Sequence, residues 1–427
     1  MAFFHEVKKP ETMSLIRTSL MGSMAVIVKV LSMLAINKVL AIYVGPAGYA
    51  VIGQFQNAIT GLAALASGGV GTGVTKYTAE YNFDSKKQNL LWSTAGIGCV
   101  VGSFFVAFLI IIFHAPLSDI FLKSEAYSSA IICAGIFLPL LVLNILLLAI
   151  LNGKKEIKIF VAANIFNSLS SLFAVVLGVW VLGLEGALIG LTVGQSMACI
   201  FTLWKLRKLP WAKYKYFQLA FDWKLGKLLG SFTLMALATS IVGPLAQIIV
   251  RNSLIENLGF ISAGYWEAVT RVSGALIMLI TTPLSIYYLP RIAELQNKEE
   301  LKREIISTYK LLMPTAFVAG LAIFLLRDSV ILLMFSKEFY PMNILFKPQL
   351  IGDILRIAAW LLSFYLLAKA RTKQFIATEV IFSLSFIPIS WLAINELGLI
   401  GVSIAYAVNN TAYLLAMIII VYRDLNR

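Results

Sequence analysis

Apolar runs of about 20 residues recur from one end of the chain to the other, and this pattern constrains the fold more than any other feature. Each run is long enough to cross the hydrocarbon core of a bilayer as a helix. The runs are continuous rather than alternating, which favours helices over the strands of a barrel. Only 13% of the 427 residues are charged, about half the share in a soluble domain. We therefore predict an all-α integral membrane protein.

The runs predict twelve transmembrane helices. Their approximate bounds are 16–43, 49–73, 91–113, 127–151, 160–182, 186–204, 229–250, 260–287, 308–326, 349–370, 374–394 and 399–421. An even number of crossings places both termini on the same side of the membrane.

Lysine and arginine are unequally divided between the two sides that these spans define. With the N-terminus in the cytoplasm, about three quarters of them fall on the cytoplasmic side. The opposite loops hold only Lys123, Arg251, Arg327, Lys337 and Lys347. Cytoplasmic loops of membrane proteins carry such an excess, so we predict that both termini are cytoplasmic. The net charge of +14 is thus a topology signal and does not indicate a nucleic-acid partner.

The second half of the chain repeats motifs of the first at a nearly constant offset of 214 to 216 positions. The pairs are AGY at 47–49 and 263–265, AE at 79–80 and 293–294, FVAANIFNSLS at 160–170 and FIATEVIFSLS at 375–385, and GLEGA at 183–187 and GLIGV at 398–402. We predict a duplicated six-span unit. An N-lobe (1–204) and a C-lobe (229–427), related by an axis along the membrane normal, are joined by a basic, aromatic cytoplasmic linker (205–228).

Motifs for catalysis or metal binding are weak. The two histidines, His5 and His114, lie near membrane edges, so we predict no histidine metal site and no cofactor. The glycine-rich stretch 68–73 lacks the Lys-Ser/Thr of a phosphate loop and is predicted to pack helices and end one. Loops are short, which argues against an enzyme with a soluble catalytic domain.

Ionisable residues inside the spans are the candidates for function, because a charge in hydrocarbon must face a partner or a water-filled cavity. They are Lys29, Lys38, Glu267, Arg271, Asp353, Arg356 and Glu379. Glu267 and Arg271 are four apart and Asp353 and Arg356 are three apart, so each pair shares a helix face. Two interpretations stay open: the two members of each pair neutralise each other and fix packing, or they line a water-filled cavity whose wall carries excess positive charge. In such a cavity the carboxylates could bind H⁺ or Na⁺.

A series of stretches from the first span to the eleventh carries a family resemblance. They are IVKVLSMLAINKVLA (27–41), GPAGYAVIGQFQNAIT (45–60), GVTKYTAEY (73–81), FTLMALATS (232–240), YYLPRIAEL (287–295), IGDILRIAAW (351–360) and LLAKARTKQFIATEV (366–380). They resemble the Wzx-type flippases of lipid-linked oligosaccharides, in the multidrug/oligosaccharidyl-lipid/polysaccharide exporter superfamily, and in particular the enterobacterial common antigen (lipid III) branch.

The resemblance implies a V-shaped, MATE-like bundle of two six-helix lobes in a bacterial inner membrane. It implies alternating access and an undecaprenyl-pyrophosphate-linked oligosaccharide, of O-antigen or enterobacterial common antigen type, as substrate. Besides this substrate, the partners would be H⁺ or Na⁺, membrane lipid and a glycan polymerase and chain-length complex. A cation-coupled multidrug exporter and a membrane polymerase or ligase of the same pathway are the alternatives.

The resemblance also gives the candidate residues roles. Cations of the cavity would bind the pyrophosphate and glycan: Lys29, Lys38, Arg271 and Arg356. Carboxylates would exchange the coupling ion: Asp353, Glu267 and Glu379. Glu267 and Arg271 lie outside the matching stretches, so their roles rest on the residues alone. Amides are unranked candidates for sugar contacts: Asn37, Gln54, Gln56, Asn57, Asn144, Asn164, Gln195, Asn409 and Asn410.

Overall fold

A computed structural model of the chain describes residues 12–212, 220–369 and 371–426. The α-helices are α1 (Thr12–Ser67), α2 (Gly71–Glu80), α3 (Ser85–Ile112), α4 (His114–Leu122), α5 (Ser128–Gly153), α6 (Ile157–Leu206), α7 (Trp223–Glu294), α8 (Lys298–Leu325), α9 (Arg327–Met334), α10 (Asn343–Ala368), α11 (Thr372–Leu397) and α12 (Leu399–Asn426). Short 3₁₀ helices are Glu125–Tyr127, Pro210–Ala212 and Lys337–Met342. Every regular element in the described ranges is helical, which confirms the predicted fold class.

The three longest helices each reverse direction at one glycine. Gly45 (φ 63°, ψ −174°), Gly183 (φ 59°, ψ −132°) and Gly259 (φ 81°, ψ 167°) adopt a backbone conformation that side chains disfavour. In α1, for example, the Tyr49 hydroxyl donates to Asn37 Oδ1 at 2.8 Å. The two residues are twelve positions apart and would be about 18 Å from each other in a straight helix, so the helix must turn back between them. Each long helix is therefore a hairpin of two limbs.

The glycine turns repeat at the offset of the sequence motifs. Gly398 (φ 65°, ψ −143°) joins α11 to α12 in the same way. Gly45 and Gly259 are 259 − 45 = 214 positions apart, and Gly183 and Gly398 are 398 − 183 = 215 apart. Because successive limbs run in opposite directions, all four turns lie at the end of the bundle opposite Thr12 and Asn426, the first and last described helical residues. We call this the glycine end, and we call α1–α6 the N-half and α7–α12 the C-half.

The described chain contains eight helical stretches that are long and apolar enough to cross a membrane. Two of them, Met24–Ser67 and Ile157–Leu206, contain a hairpin glycine. The chain is a multi-pass membrane protein. The number of twelve crossings, the lobe boundaries and the side of the termini stay predictions.

The prediction of a loop between spans 7 and 8, over residues 251–259, is wrong. α7 stays helical on both sides of Gly259, and Arg251 is a helical residue with 0% exposure. A single glycine with positive φ reverses the chain without a loop, so polar residues next to it remain in the helix. The prediction for 68–73 is confirmed in part, since Gly68 (φ 57°) and Gly69 (φ 60°) follow the end of α1.

Small residues let the hairpins of the two halves approach closely. A Cβ atom on Gly264 of α7 would lie 1.8 Å from the carbonyl oxygen of Pro46 in α1. A Cβ atom on Gly53 would lie 2.3 Å from Glu267 Oε2. The second limb of α1 therefore packs against the second limb of α7, and this contact positions the buried charges described below.

Candidate functional site

A cavity inside the C-half has two adjoining compartments of about 100 and about 400 Å³. Side chains that line both compartments are Gln247, Thr270, Arg356, Trp360 and Tyr406. They come from α7, α10 and α12. The smaller compartment adds aromatic and amide groups, so the wall can contact both an apolar sugar face and hydroxyl groups.

Arg356 is the cation of this cavity. Its guanidinium carbon lies 5.1 Å from the ring centre of Trp360, one helical turn further along α10. Among the described residues it has no ion-pair partner within 4.0 Å. A guanidinium held over an indole ring keeps its planar fork of N–H donors oriented, which suits a phosphate or carboxylate.

Asp353, which shares its helix face with Arg356, does not pair with it directly. The carboxylate is fully buried, and its Oδ1 accepts a hydrogen bond from the Tyr406 hydroxyl at 3.1 Å. Its Oδ2 has no hydrogen-bond partner in the described chain. The two residues therefore form no direct ion pair in this conformation.

Glu379 reaches the smaller compartment from α11. Its Oε1 accepts a hydrogen bond from the Tyr413 hydroxyl at 2.6 Å. Asn409 and Asn410 of α12 line the same compartment. This part of the cavity therefore carries one carboxylate, one guanidinium and several amides and hydroxyls.

A second group of charges lies within α7. Glu267 Oε1 accepts from Arg271 Nε at 2.8 Å, and Glu267 Oε2 accepts from an Nη atom of Arg251. We call Arg251, Glu267 and Arg271 the charged triad. The sequence predicted the Glu267–Arg271 contact but missed Arg251. The missed signal is that 251 and 267 each lie eight positions from Gly259, so a reversal at that glycine brings them opposite each other.

Amides of α1 surround Arg271. Its two Nη atoms donate to Asn37 Oδ1 at 2.9 Å and to Gln56 Oε1 at 2.6 Å. Its guanidinium carbon lies 4.7 Å from the ring centre of Tyr49. In this conformation the donors of Arg271 are thus engaged within the protein and not directed at a ligand.

Further amides of α1 bind the first limb of α7. Gln54 accepts from Arg251 Nη1 at 3.1 Å and donates to Asn252 Oδ1 at 2.6 Å. Asn57 donates to Gln247 Oε1 at 3.1 Å. We call Asn37, Gln54, Gln56 and Asn57 the amide row. These candidates for sugar contacts connect the two halves here, and Asn144 and Asn164 bond within the N-half.

Lys38 binds protein rather than a cavity. Its Nζ donates to the carbonyl oxygens of Leu332 at 2.6 Å and Phe335 at 2.5 Å. These carbonyls lie at the C-terminal end of α9, where helix carbonyls lack partners and attract cations. Lys38 therefore ties α1 to α9 across the two halves.

Lys29 lies on the other face of α1. It precedes Lys38 by nine positions, and at about 100° per residue the two side chains point in opposite directions. It is also opposite the exposed apolar residues Ile27 and Leu31. Among the described residues it has no ion-pair or hydrogen-bond partner. Lys29 is exposed and lies on the same face of α1 as Leu40, which is buried about three turns further along the helix.

Comparisons with known proteins agree with this architecture. The model of the family described as polysaccharide biosynthesis protein matches residues 16–296. The lipid III flippases of Escherichia coli (strain K12) and Shigella flexneri are each 31% identical over 402 residues, which cover 94% of this chain and 96% of the relative.

Solved structures of low identity share the fold. An inward-facing multidrug resistance MATE family transporter of the MOP superfamily is 15% identical, with a TM-score of 0.79 over 93% of this chain and 94% of that one. An outward-facing structure with the same description gives 0.68 at 16% identity over 96% and 95%. The lipid II flippase MurJ, in an inward closed conformation, gives 0.72 at 16% identity over 96% and 89%.

The family match covers well over half of the chain, and the curated relatives match almost all of it. The resemblance detected in the sequence is confirmed by these matches and by the shared helical fold. The apolar helices, the glycine hairpins and the matches together make this chain a member of the polysaccharide biosynthesis protein family.

Proposed function

We propose that this chain moves undecaprenyl-pyrophosphate-linked oligosaccharide repeat units from the cytoplasmic to the periplasmic leaflet of a bacterial inner membrane. The glycan would be of enterobacterial common antigen or O-antigen type, since the curated relatives are lipid III flippases. Both termini are cytoplasmic in this proposal, so the glycine end is periplasmic. The relatives are flippases and transporters, so the prediction that the chain is not an enzyme is confirmed.

Arg356 is the observation that carries this proposal. It lines both compartments of the C-half cavity, and no carboxylate of the described chain neutralises it by direct contact. A pyrophosphate offers several oxygen acceptors to such a guanidinium, which can bind two of them at once. A cationic drug would instead meet a like charge at the centre of the cavity wall.

The other predicted cations differ in whether they already bind groups of the protein. Lys29 is exposed and without a partner among the described residues, so it is available to an anionic headgroup in this conformation. Arg271 and Lys38 bind groups of the protein. We therefore assign the first contacts with pyrophosphate to Arg356 and Lys29, and Arg271 becomes available only after its contacts with α1 break.

The coupling ion, H⁺ or Na⁺, belongs at a carboxylate that lacks a cationic partner. Both oxygens of Glu267 accept arginine N–H groups, so this residue is occupied. Asp353 is fully buried with an unpartnered oxygen, and Glu379 receives one tyrosine hydroxyl. Because a buried carboxylate without a cationic partner is costly, we assign ion binding first to Asp353. Glu379, which is half-buried and lines the smaller compartment, is the second candidate. Contact with a polymerase and chain-length complex stays a prediction.

The decisive measurement is the sidedness of the lipid-linked repeat unit in cells that lack this chain. A membrane-impermeant glycan-modifying reagent should leave the accumulated unit unmodified in intact cells and modify it after a plasmid copy is supplied. Normal periplasmic exposure without the chain would contradict the proposal. Drug susceptibility in a pump-deficient host would then test the multidrug exporter alternative.

A further inference from the structure

The charged triad and the amide row meet at a contact that alternating access must break. We propose that they form a reversible latch that holds the two halves closed at the glycine end. In this latch, Arg251 positions Glu267 and also donates directly to Gln54 of α1. The latch lies outside the C-half cavity assigned above, and it rests on the alternating access of the family rather than on a particular substrate.

Every charge of the latch comes from one half. Arg251, Glu267 and Arg271 all belong to α7, and the ion pairs Arg251–Glu267 and Arg271–Glu267 are both internal to it. The triad has two cations and one anion, so one positive charge remains. Three amide oxygens of α1 accept N–H groups from the two arginines: those of Asn37, Gln54 and Gln56. The N-half thus solvates a residual charge without supplying an opposite one.

Because all the charges lie in one half, separating the halves costs little electrostatic free energy. When the halves separate, both ion pairs stay within α7, so neither arginine loses its carboxylate. The arginines exchange neutral amide oxygens for water, which costs much less than separating a buried ion pair but still favours the closed contact. An ion pair between the halves would instead leave two unpaired buried charges on separation. The arrangement therefore suits a contact that forms and breaks in every transport cycle.

Close packing around Glu267 and Arg251 fixes the positions of the latch residues. Gly53 leaves the space that the Glu267 carboxylate occupies, since a Cβ atom would lie 2.3 Å from Oε2. Arg251 is 0% exposed and its guanidinium carbon lies 5.1 Å from the ring centre of Trp266. Arg251 therefore holds Glu267 in a position from which its other oxygen also accepts from Arg271, whose remaining donors face α1.

The test measures how often the glycine end opens. Ala50 is buried on the face of α1 that carries Pro46 and Gly53, four and three positions away along the helix. A chain with Cys99, Cys133 and Cys199 replaced by alanine and with Ala50→Cys is placed in nanodiscs and treated with a charged maleimide. We expect slow labelling, and labelling about tenfold faster after Arg251→Gln, because a charge-assisted hydrogen bond to the N-half is lost.

A conservative variant and a structural control separate a latch from a merely structural arginine. Arg251→Lys keeps the charge beside Glu267 and should restore part of the protection. In a second chain that retains only Cys199, which is 0% exposed and packs with Leu147 and Leu151, Arg251→Gln should leave labelling unchanged. If Arg251→Gln made labelling faster at both position 50 and Cys199, Arg251 would support the fold as a whole, and its role in a latch would be overturned.

Gln54→Leu tests the same contact from the other half, even if Arg251→Gln fails to fold. Gln54 bonds to Arg251 and Asn252, so its loss leaves the triad intact and removes contacts between the halves. We expect several-fold faster labelling at position 50. Unchanged labelling in folded Gln54→Leu protein overturns the proposal. No substrate is present in this assay, so its failure is distinct from failure of the flippase proposal.

Discussion

The hairpins α1 and α7 share a backbone plan but differ in charge where they meet. Asn37 and Arg251 each lie eight positions before their hairpin glycine, and Gly53 and Glu267 each lie eight positions after it. Gly53 packs directly against Glu267, so equivalent positions of the two halves face each other. A glutamate at both positions would face its own copy, and two buried carboxylates in contact repel. The repeated fold therefore requires side chains that differ.

The same difference extends to the cavity. At the offset of 215, Asp353 and Arg356 of α10 correspond to Leu138 and Leu141 of α5, both buried and apolar. In the aligned motifs of α6 and α11, Asn164 corresponds to Glu379. At these three positions the N-half has neutral groups where the C-half has charges. We infer that the C-half carries most of the ligand chemistry, and that the N-half contributes Lys29 of α1 and an otherwise largely neutral surface against which the C-half moves.

The largest expected effect follows from removing the cavity cation. Arg356→Ala should abolish flipping while the protein folds and reaches the membrane, because the guanidinium is the group that meets the pyrophosphate. Flipping is measured as the fraction of lipid-linked repeat unit modified by an impermeant reagent.

The matched control is Leu141→Ala, the equivalent change in the N-half. It should lower thermal stability through a cavity but keep flipping measurable. Normal flipping in Arg356→Ala cells would show that the two halves are functionally alike at this position, and the division of labour proposed above would be wrong.

A smaller effect is expected on stability when the triad loses its anion. Glu267→Gln leaves Arg251 and Arg271 facing each other without a carboxylate, and breaking a buried pair in this way costs about 3–5 kcal/mol. The midpoint of thermal unfolding of the purified protein should fall accordingly.

The comparison variant for Glu267→Gln is Asn37→Leu, which removes the neutral acceptor that Arg271 shares with the Tyr49 hydroxyl. It should cost only about 1–3 kcal/mol. Equal losses of stability in the two variants would mean that the charges of α7 and the amides of α1 contribute equally to the stability of the fold. The difference in charge between the two hairpins would then have no effect on stability.

The smallest effect concerns the two lysines of α1. Lys38→Met should weaken the docking of α9 by about 0.5–2 kcal/mol, because the carbonyls of Leu332 and Phe335 lose their cation. Hydrogen exchange of residues 327–335 should become faster. Lys29→Met should leave this exchange unchanged but slow flipping. Faster exchange in both variants would contradict the opposite placement of the two side chains.

The sequence alone determined the membrane class, the helical fold, the repeat offset and the family. Run length, hydropathy and motif spacing are properties of the chain in one dimension, and each restricts the backbone directly. Helical spacing also predicted the Glu267–Arg271 contact, because residues four apart on a helix are neighbours whatever surrounds them.

Only the tertiary structure decided which groups the other buried charges contact. Arg251 counted as a loop residue until the reversal at Gly259 placed it beside Glu267. Asp353 and Arg356 share a face, yet one bonds to Tyr406 and the other stacks on Trp360. A helix fixes the direction in which a side chain points. The group that it meets belongs to another helix, and it is the packing of helices that brings the two together.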